Sequence, residues 1–138
     1  MKVKTISIII SIIFSGLGCG YFENDRTENQ IEVSGNVKIL KQENNQAYDL
    51  VYQETNEIFS GIVENCKSVY YDSVNKIAFC ESIINQYNSA YYQINIIDSK
   101  SKDIDTGIKK QTIDKNTFLN KTIHINRKWE FPTVAGKE

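Results

Sequence analysis

The chain has one histidine, one methionine, one tryptophan, one proline and seven glycines in 138 residues. The single histidine, His124, leaves no second imidazole for a histidine-rich zinc site, and no Gly-x-Ser-x-Gly elbow accompanies it to make a serine nucleophile. The glycines include no phosphate-binding pattern, and the three cysteines no Cys-x-x-Cys pair. No cofactor and no metal are therefore expected. Excess charge is also lacking: 16 basic residues stand against 17 acidic ones. The densest basic stretch, residues 100–110, is interrupted by Asp103 and Asp105. A polyanion needs a clustered basic face, so no nucleic-acid partner is expected.

What is present begins with a leader. Lys2 and Lys4 precede an apolar run over residues 6–14, followed by Ser15, Gly16, Leu17, Gly18 and Cys19. A positive end, a short apolar core and small residues before the cleavage point form a signal peptide. The run is shorter than the ~20 apolar residues that span a bilayer. Gly18 before Cys19 resembles the lipobox of bacterial lipoproteins, in which the cysteine receives diacylglycerol; at the third position before the cysteine, where the family favours Leu, Val or Ile, this chain has Gly16. The resemblance implies a signal peptide over residues 1–18 and a membrane anchor at Cys19. Gly20 follows the lipid site in place of the Asp that resembles an inner-membrane retention signal, so the outer membrane is the favoured location. Residues 19–30 are polar and read as a flexible tether. Lys2 and Lys4 leave with the leader, so the remaining portion carries 14 basic against 17 acidic residues.

An exported chain meets an oxidising compartment, where Cys66 and Cys80 are expected to pair. Both lie seven residues from Ser73, inside the polar break Tyr71-Asp72-Ser73-Val74-Asn75. A hairpin folded about Ser73 sets Cys66 opposite Cys80 on one face and Val69 opposite Ile77 on the other.

Residues 31–131 are expected to form one domain, mainly β in an α+β arrangement, built as a single antiparallel β-meander sheet with a short C-terminal helix. Ile31, Val33, Val37 and Ile39 alternate with polar residues and predict a first strand, with Gly35 as a bulge. Residues 66–71 and 76–84 form the hairpin arms. Two more strands follow over 90–96 and 104–113, joined by a polar turn over 98–103. Asp114 caps a helix from residue 115 to about 123, with Phe118 and Leu119 facing the sheet. The segment 48–63 fits a helical stripe, but its β-branched and aromatic content and Gly61 favour two short strands. Residues 132–138 are expected to be a disordered tail. The runs Val69-Tyr70-Tyr71-Asp72, Ile77-Ala78-Phe79 and Tyr91-Tyr92-Gln93-Ile94-Asn95-Ile96-Ile97-Asp98 resemble small bacterial lipoproteins of unknown function. That resemblance covers about half of the exported part. It implies an antiparallel meander followed by a short helix and carries over no site residue.

Eight tyrosines, six phenylalanines and one tryptophan are the remaining signal. Tyrosine gives a large contact area at low entropy cost and is enriched at interfaces. Alternation places Tyr91 and Gln93 outward and Tyr92 and Ile94 inward, and makes Tyr70, Tyr91 and Gln93 the candidate binding surface. The favoured function is a lipid-anchored, non-catalytic module that binds a protein partner in the cell envelope. One alternative is a periplasmic immunity-type inhibitor of a toxin. Another is a cell-envelope hydrolase using Glu54, Glu57 or Glu64 as its carboxylates. No catalytic residue is assigned. Asp98, Asp103 and Asp105 lack the order of a calcium loop and read as a solvated turn.

Overall fold

The computed structural model describes residues 30–43 and 46–132. The proposed signal peptide (1–18), nearly all of the tether (19–30) and all of the tail (132–138) except Pro132 lie outside the described residues.

The domain is mainly β, as expected, but has two antiparallel sheets where one was anticipated. The first contains β1 (Gln30–Ser34), β2 (Val37–Lys41), β3 (Tyr48–Gln53) and β4 (Phe59–Val63) in sequential order. The second contains β5 (Cys66–Asp72), β6 (Ile77–Ile83), β7 (Ser89–Ile96), β8 (Ile108–Ile113) and β9 (Lys128–Glu130), with β9 paired to the outside of β5. The helical turn α1 (Ile104–Gly107) precedes β8, and α2 (Lys115–Thr122) follows it.

One core joins the sheets. Val33, Val37, Ile39, Leu50, Tyr52 and Ile62 enter from the first, and Val69, Tyr71, Ala78, Cys80, Ile94 and Ile96 enter from the second. Each sheet turns an apolar face towards the other, and a sandwich is the arrangement that covers both. The chain crosses between sheets at Glu64 and Asn65. Asn65 adopts φ 55° there; its N–H donates to Asp49 Oδ1 (2.9 Å) and its side-chain amide donates to the Ile83 carbonyl (3.1 Å). The preference for two strands over 48–63 holds.

Several expectations are corrected. Gly35 is the turn of a hairpin rather than a bulge in one strand. Gly35 and Asn36 form a two-residue connection, and Gly35 has φ 55°. A side chain would be strained in that conformation and would also strike Ser99, whose carbonyl oxygen lies 2.6 Å from an ideal Cβ. The 104–113 segment is a strand only from Ile108. Asp103 caps α1 by accepting from Asp105 N (3.0 Å). In α2, Phe118 is buried and Leu119 is half exposed; Thr122, one turn later, is the second inward residue.

The β5–β6 hairpin is also shifted from the expected register. Val69 pairs with Cys80, Asp72 pairs with Ile77, and Cys66 faces Ser82 across an irregularity between Cys66 and Ser68. Asp72 causes the shift. Its carboxylate accepts from Val74 N (3.0 Å), Asn75 N (3.2 Å) and the Asn75 side chain (2.8 Å). That Asx turn centres the loop beyond Ser73, and Lys76 takes φ 59° to close it.

Tyr52 ties the first sheet to the loop after β7. Fully buried, its hydroxyl donates to the Ser101 carbonyl (2.7 Å), with the Asp98 carbonyl at 3.1 Å. Burial, and secondarily the charges of Asp98, Glu54 and Asp103, push its pKa up. Gly107 lies against the ring: a Cβ there would sit 2.6 Å from Tyr52 Cζ and closer still to the hydroxyl. Tyr52→Phe should lower stability by about 1–2 kcal/mol through the lost hydrogen bond. Gly107→Ala should cost about 1–3 kcal/mol through overpacking. Denaturant midpoints at unchanged m-value check both; no loss in either variant would show that the loop does not depend on this contact.

Candidate functional site

The tyrosine face of the second sheet is partly roofed. Tyr70 and Phe79 are cross-strand partners, as are Phe79 and Gln93, so their side chains share the face away from the core. Helix α2 lies over this face. Its start is fixed by Asp114, whose carboxylate accepts from Thr117 N (2.7 Å) and is held below the usual carboxylate range by that bond. The Phe118 ring meets Tyr91 at 4.9 Å and Tyr70 edge-on at 5.6 Å. Gln93 is buried, with its side-chain amide donating to Asn95 Oδ1 (3.0 Å). The structure therefore gathers Tyr70, Tyr91 and Gln93 on one face but leaves only the tyrosines partly exposed.

Beside Tyr91 the surface opens into a cleft of about 400 Å³ whose lining includes Lys67, Glu81, Tyr87, Asn88, Tyr91 and Lys115. Three local structures shape it. The irregularity in β5 carries Lys67, the first residue of α2 brings Lys115, and the β6–β7 loop supplies Tyr87. Asn85 stiffens that loop: its side-chain oxygen accepts from Tyr87 N (2.8 Å) and Asn88 N (3.0 Å). Tyr87 consequently stands 83% exposed, and Ile84 on the same loop is 64% exposed. Inside the cleft, Lys67 Nζ is 3.9 Å from Glu81 Oε2. Burial, and then the Glu81 charge, push the Tyr91 pKa up, so the phenol stays protonated. The site offers aromatic surface, hydrogen-bonding groups and an ammonium at Lys115, which suits recognition of a polar or acidic protein surface.

Comparison with family models, curated proteins and solved structures found no match.

The other singled-out residues have local structural partners or lie on the surface. Glu54 joins two loops: Oε1 accepts from Ser60 Oγ (2.8 Å) and Oε2 accepts from Ile104 N (3.1 Å) at the start of α1. The bond from Ile104 is the main reason its pKa is lowered. Glu57 and Glu64 are exposed, as is His124 just beyond α2. Asp98 accepts from Lys100 N (3.1 Å), an Asx contact within its own loop. Among the described residues, no group of three or more His, Cys, Asp or Glu side chains could hold a metal, and no helix is long and apolar enough to cross a membrane. Cys66 and Cys80 are free thiols in the core with their Sγ atoms 3.0 Å apart.

Lys67, Tyr87 and Lys115 are part of the cleft but were absent from the expected binding surface. The one local signal was Asn85-Gln86-Tyr87-Asn88, a turn sequence displaying an aromatic residue. Glu54 also gives acid sensitivity a definite sign. Its folded pKa is lower than its unfolded one, so its contribution is present above the unfolded value and is lost as pH falls through the folded value. Glu54→Gln should flatten the decline in Tm as pH is lowered below about 4.5. Parallel melting curves for the two proteins between pH 6 and 3 check this, and identical slopes would remove Glu54 as a source.

Proposed function

We propose that this chain is a bacterial lipoprotein of the cell envelope, cleaved after residue 18 and anchored by diacylglycerol on Cys19. In this reading the sandwich is a non-catalytic module that binds a protein partner at the cleft beside Tyr91. The leader and the Gly18-Cys19 junction support the anchor. The binding reading rests on one observation: a loop stiffened by Asn85 holds Tyr87 in solvent at the rim of a polar cleft, with Ile84 also exposed on that loop. Exposing large apolar side chains on an ordered loop forgoes burial worth about 1.5–3 kcal/mol for each, a cost that a partner surface would recover. Lys115 adds a cation at that rim, so the partner surface is acidic. A carboxylate hydrolase draws less support, because both Glu54 oxygens accept hydrogen bonds within the domain.

Two measurements test the parts separately. The envelope-extracted protein should have the mass of residues 19–138 plus diacylglycerol and enter the detergent phase, whereas Cys19→Ala should lose both properties. An unmodified, water-soluble wild-type product would make this a secreted domain. For binding, a photo-crosslinking amino acid at Tyr87 should give a discrete adduct in the envelope fraction, and Lys115→Glu should reduce it several-fold. If no adduct forms, or if the charge reversal leaves its yield unchanged, the cleft is not the docking site.

A further inference from the structure

Cys66 and Cys80 lie on adjacent strands but not directly opposite each other. Cys80 pairs with Val69, while Cys66 faces Ser82, one residue beyond the irregularity at Lys67. Without that irregularity, residues on facing strands offset by this much lie too far apart to bond. The extra residue turns the Cys66 side chain into the same core face as Cys80, where the Cys80 thiol donates to Cys66 Sγ across 3.0 Å. Exposure is 3% for Cys66 and zero for Cys80. Cys66 follows Asn65, the left-handed residue at which the chain leaves the first sheet, and its thiol donates to the Val63 carbonyl of β4 (3.6 Å). The pair therefore lies at the corner between the two sheets.

We infer that Cys66 and Cys80 are joined in the exported protein by a disulfide that staples β5 to β6 at this corner, and that the bond forms before the sandwich closes. The cellular setting rests on the export reading above, which supplies the oxidant, a disulfide of a small thiol or of a thiol oxidase. One cysteine thiolate attacks that disulfide and expels its first thiolate. The second cysteine thiolate then attacks the mixed disulfide and expels the other. The protein loses two hydrogens, and its two electrons reduce the reagent to two thiols. The order of events follows from burial. In the folded chain the Cys80 thiol is pushed well above its ordinary pKa, first by desolvation and then by Cys66, so the reactive thiolate is suppressed while the core excludes the reagent. The bond closes a loop of about 15 residues, enough to change the folding equilibrium by roughly two orders of magnitude.

The test uses the full chain carrying Cys19→Ala, refolded from denaturant with reduced and oxidised glutathione and mapped without reduction. The expected product has Cys66 linked to Cys80 and a mass lower by two hydrogens. It should melt roughly 10–20 °C above the same chain refolded with a phosphine reductant. Oxidised glutathione added to the folded, reduced chain should form the bond at least ten-fold more slowly than during refolding. Free thiols or only glutathione adducts after oxidative refolding would overturn the bond, and equal rates would overturn the order of events. This experiment takes place outside the cell, so its failure is separate from failure of the export reading. Linked cysteines after refolding but free thiols in protein recovered from the envelope would overturn only the cellular setting.

Discussion

A buried tyrosine hydroxyl organises much of this domain. Tyr52 projects from β3 into the core, and a phenol there needs an acceptor. It finds the carbonyls of Ser101 and Asp98, in the loop after β7. The β1–β2 hairpin packs against the same loop: Asn36 N donates to the Ser99 carbonyl (2.7 Å), and its side-chain amide donates to the Ser101 carbonyl (3.0 Å). Gly35 and Gly107 are the two glycines whose replacement this close packing would resist. The loop held by this hydroxyl thus also receives the hairpin turn through Asn36, and Glu54 strengthens the same junction through Ile104 at the start of α1.

Helix α2 has the corresponding role on the other side of the second sheet. Phe118 meets both Tyr70 and Tyr91 and is itself buried, turning what alternation reads as an open aromatic face into a small second core. The open surface lies at the margin of that helix, where Lys115 and the β6–β7 loop border the cleft. The tyrosines serve packing and the cleft at once. Tyr91 packs against Phe118 with the rings tilted at 47° while lining the cleft beside Glu81.

The strands around 31–39 and 89–96 were legible because a half-buried strand alternates with period two whatever it packs against, and those around 48–63, 66–72 and 77–83 from β-branched and aromatic runs set off by polar turns. Helix α2 was legible from Asp114 and the residues after it. Strand β9 was not, because three residues, Lys128-Trp129-Glu130, carry too short a pattern; they become a strand by pairing with Ser68, Val69 and Tyr70, nearly 60 positions earlier. The division into two sheets was missed for a related reason. The Glu64–Asn65 corner reads as an ordinary turn until Asp49 and Ile83 supply its hydrogen-bond partners.

Of the site residues, the sequence named Tyr70, Tyr91 and Gln93 but could not say what would lie over them. It named Cys66 and Cys80 as a pair but placed them in the wrong register, because an Asx turn at Asp72 and an irregularity at Lys67 both move the hairpin. By itself the sequence determined the β character, the α2 cap and the alternation along β1, β2 and β7, since these depend on side chains a few residues apart. Tertiary structure alone decided that there are two sheets, that α2 covers the tyrosine face, and that Lys67, Tyr87 and Lys115 meet at one cleft. Those features depend on long-range contacts, whose partners are brought together only when the apolar faces of both sheets are buried in one core.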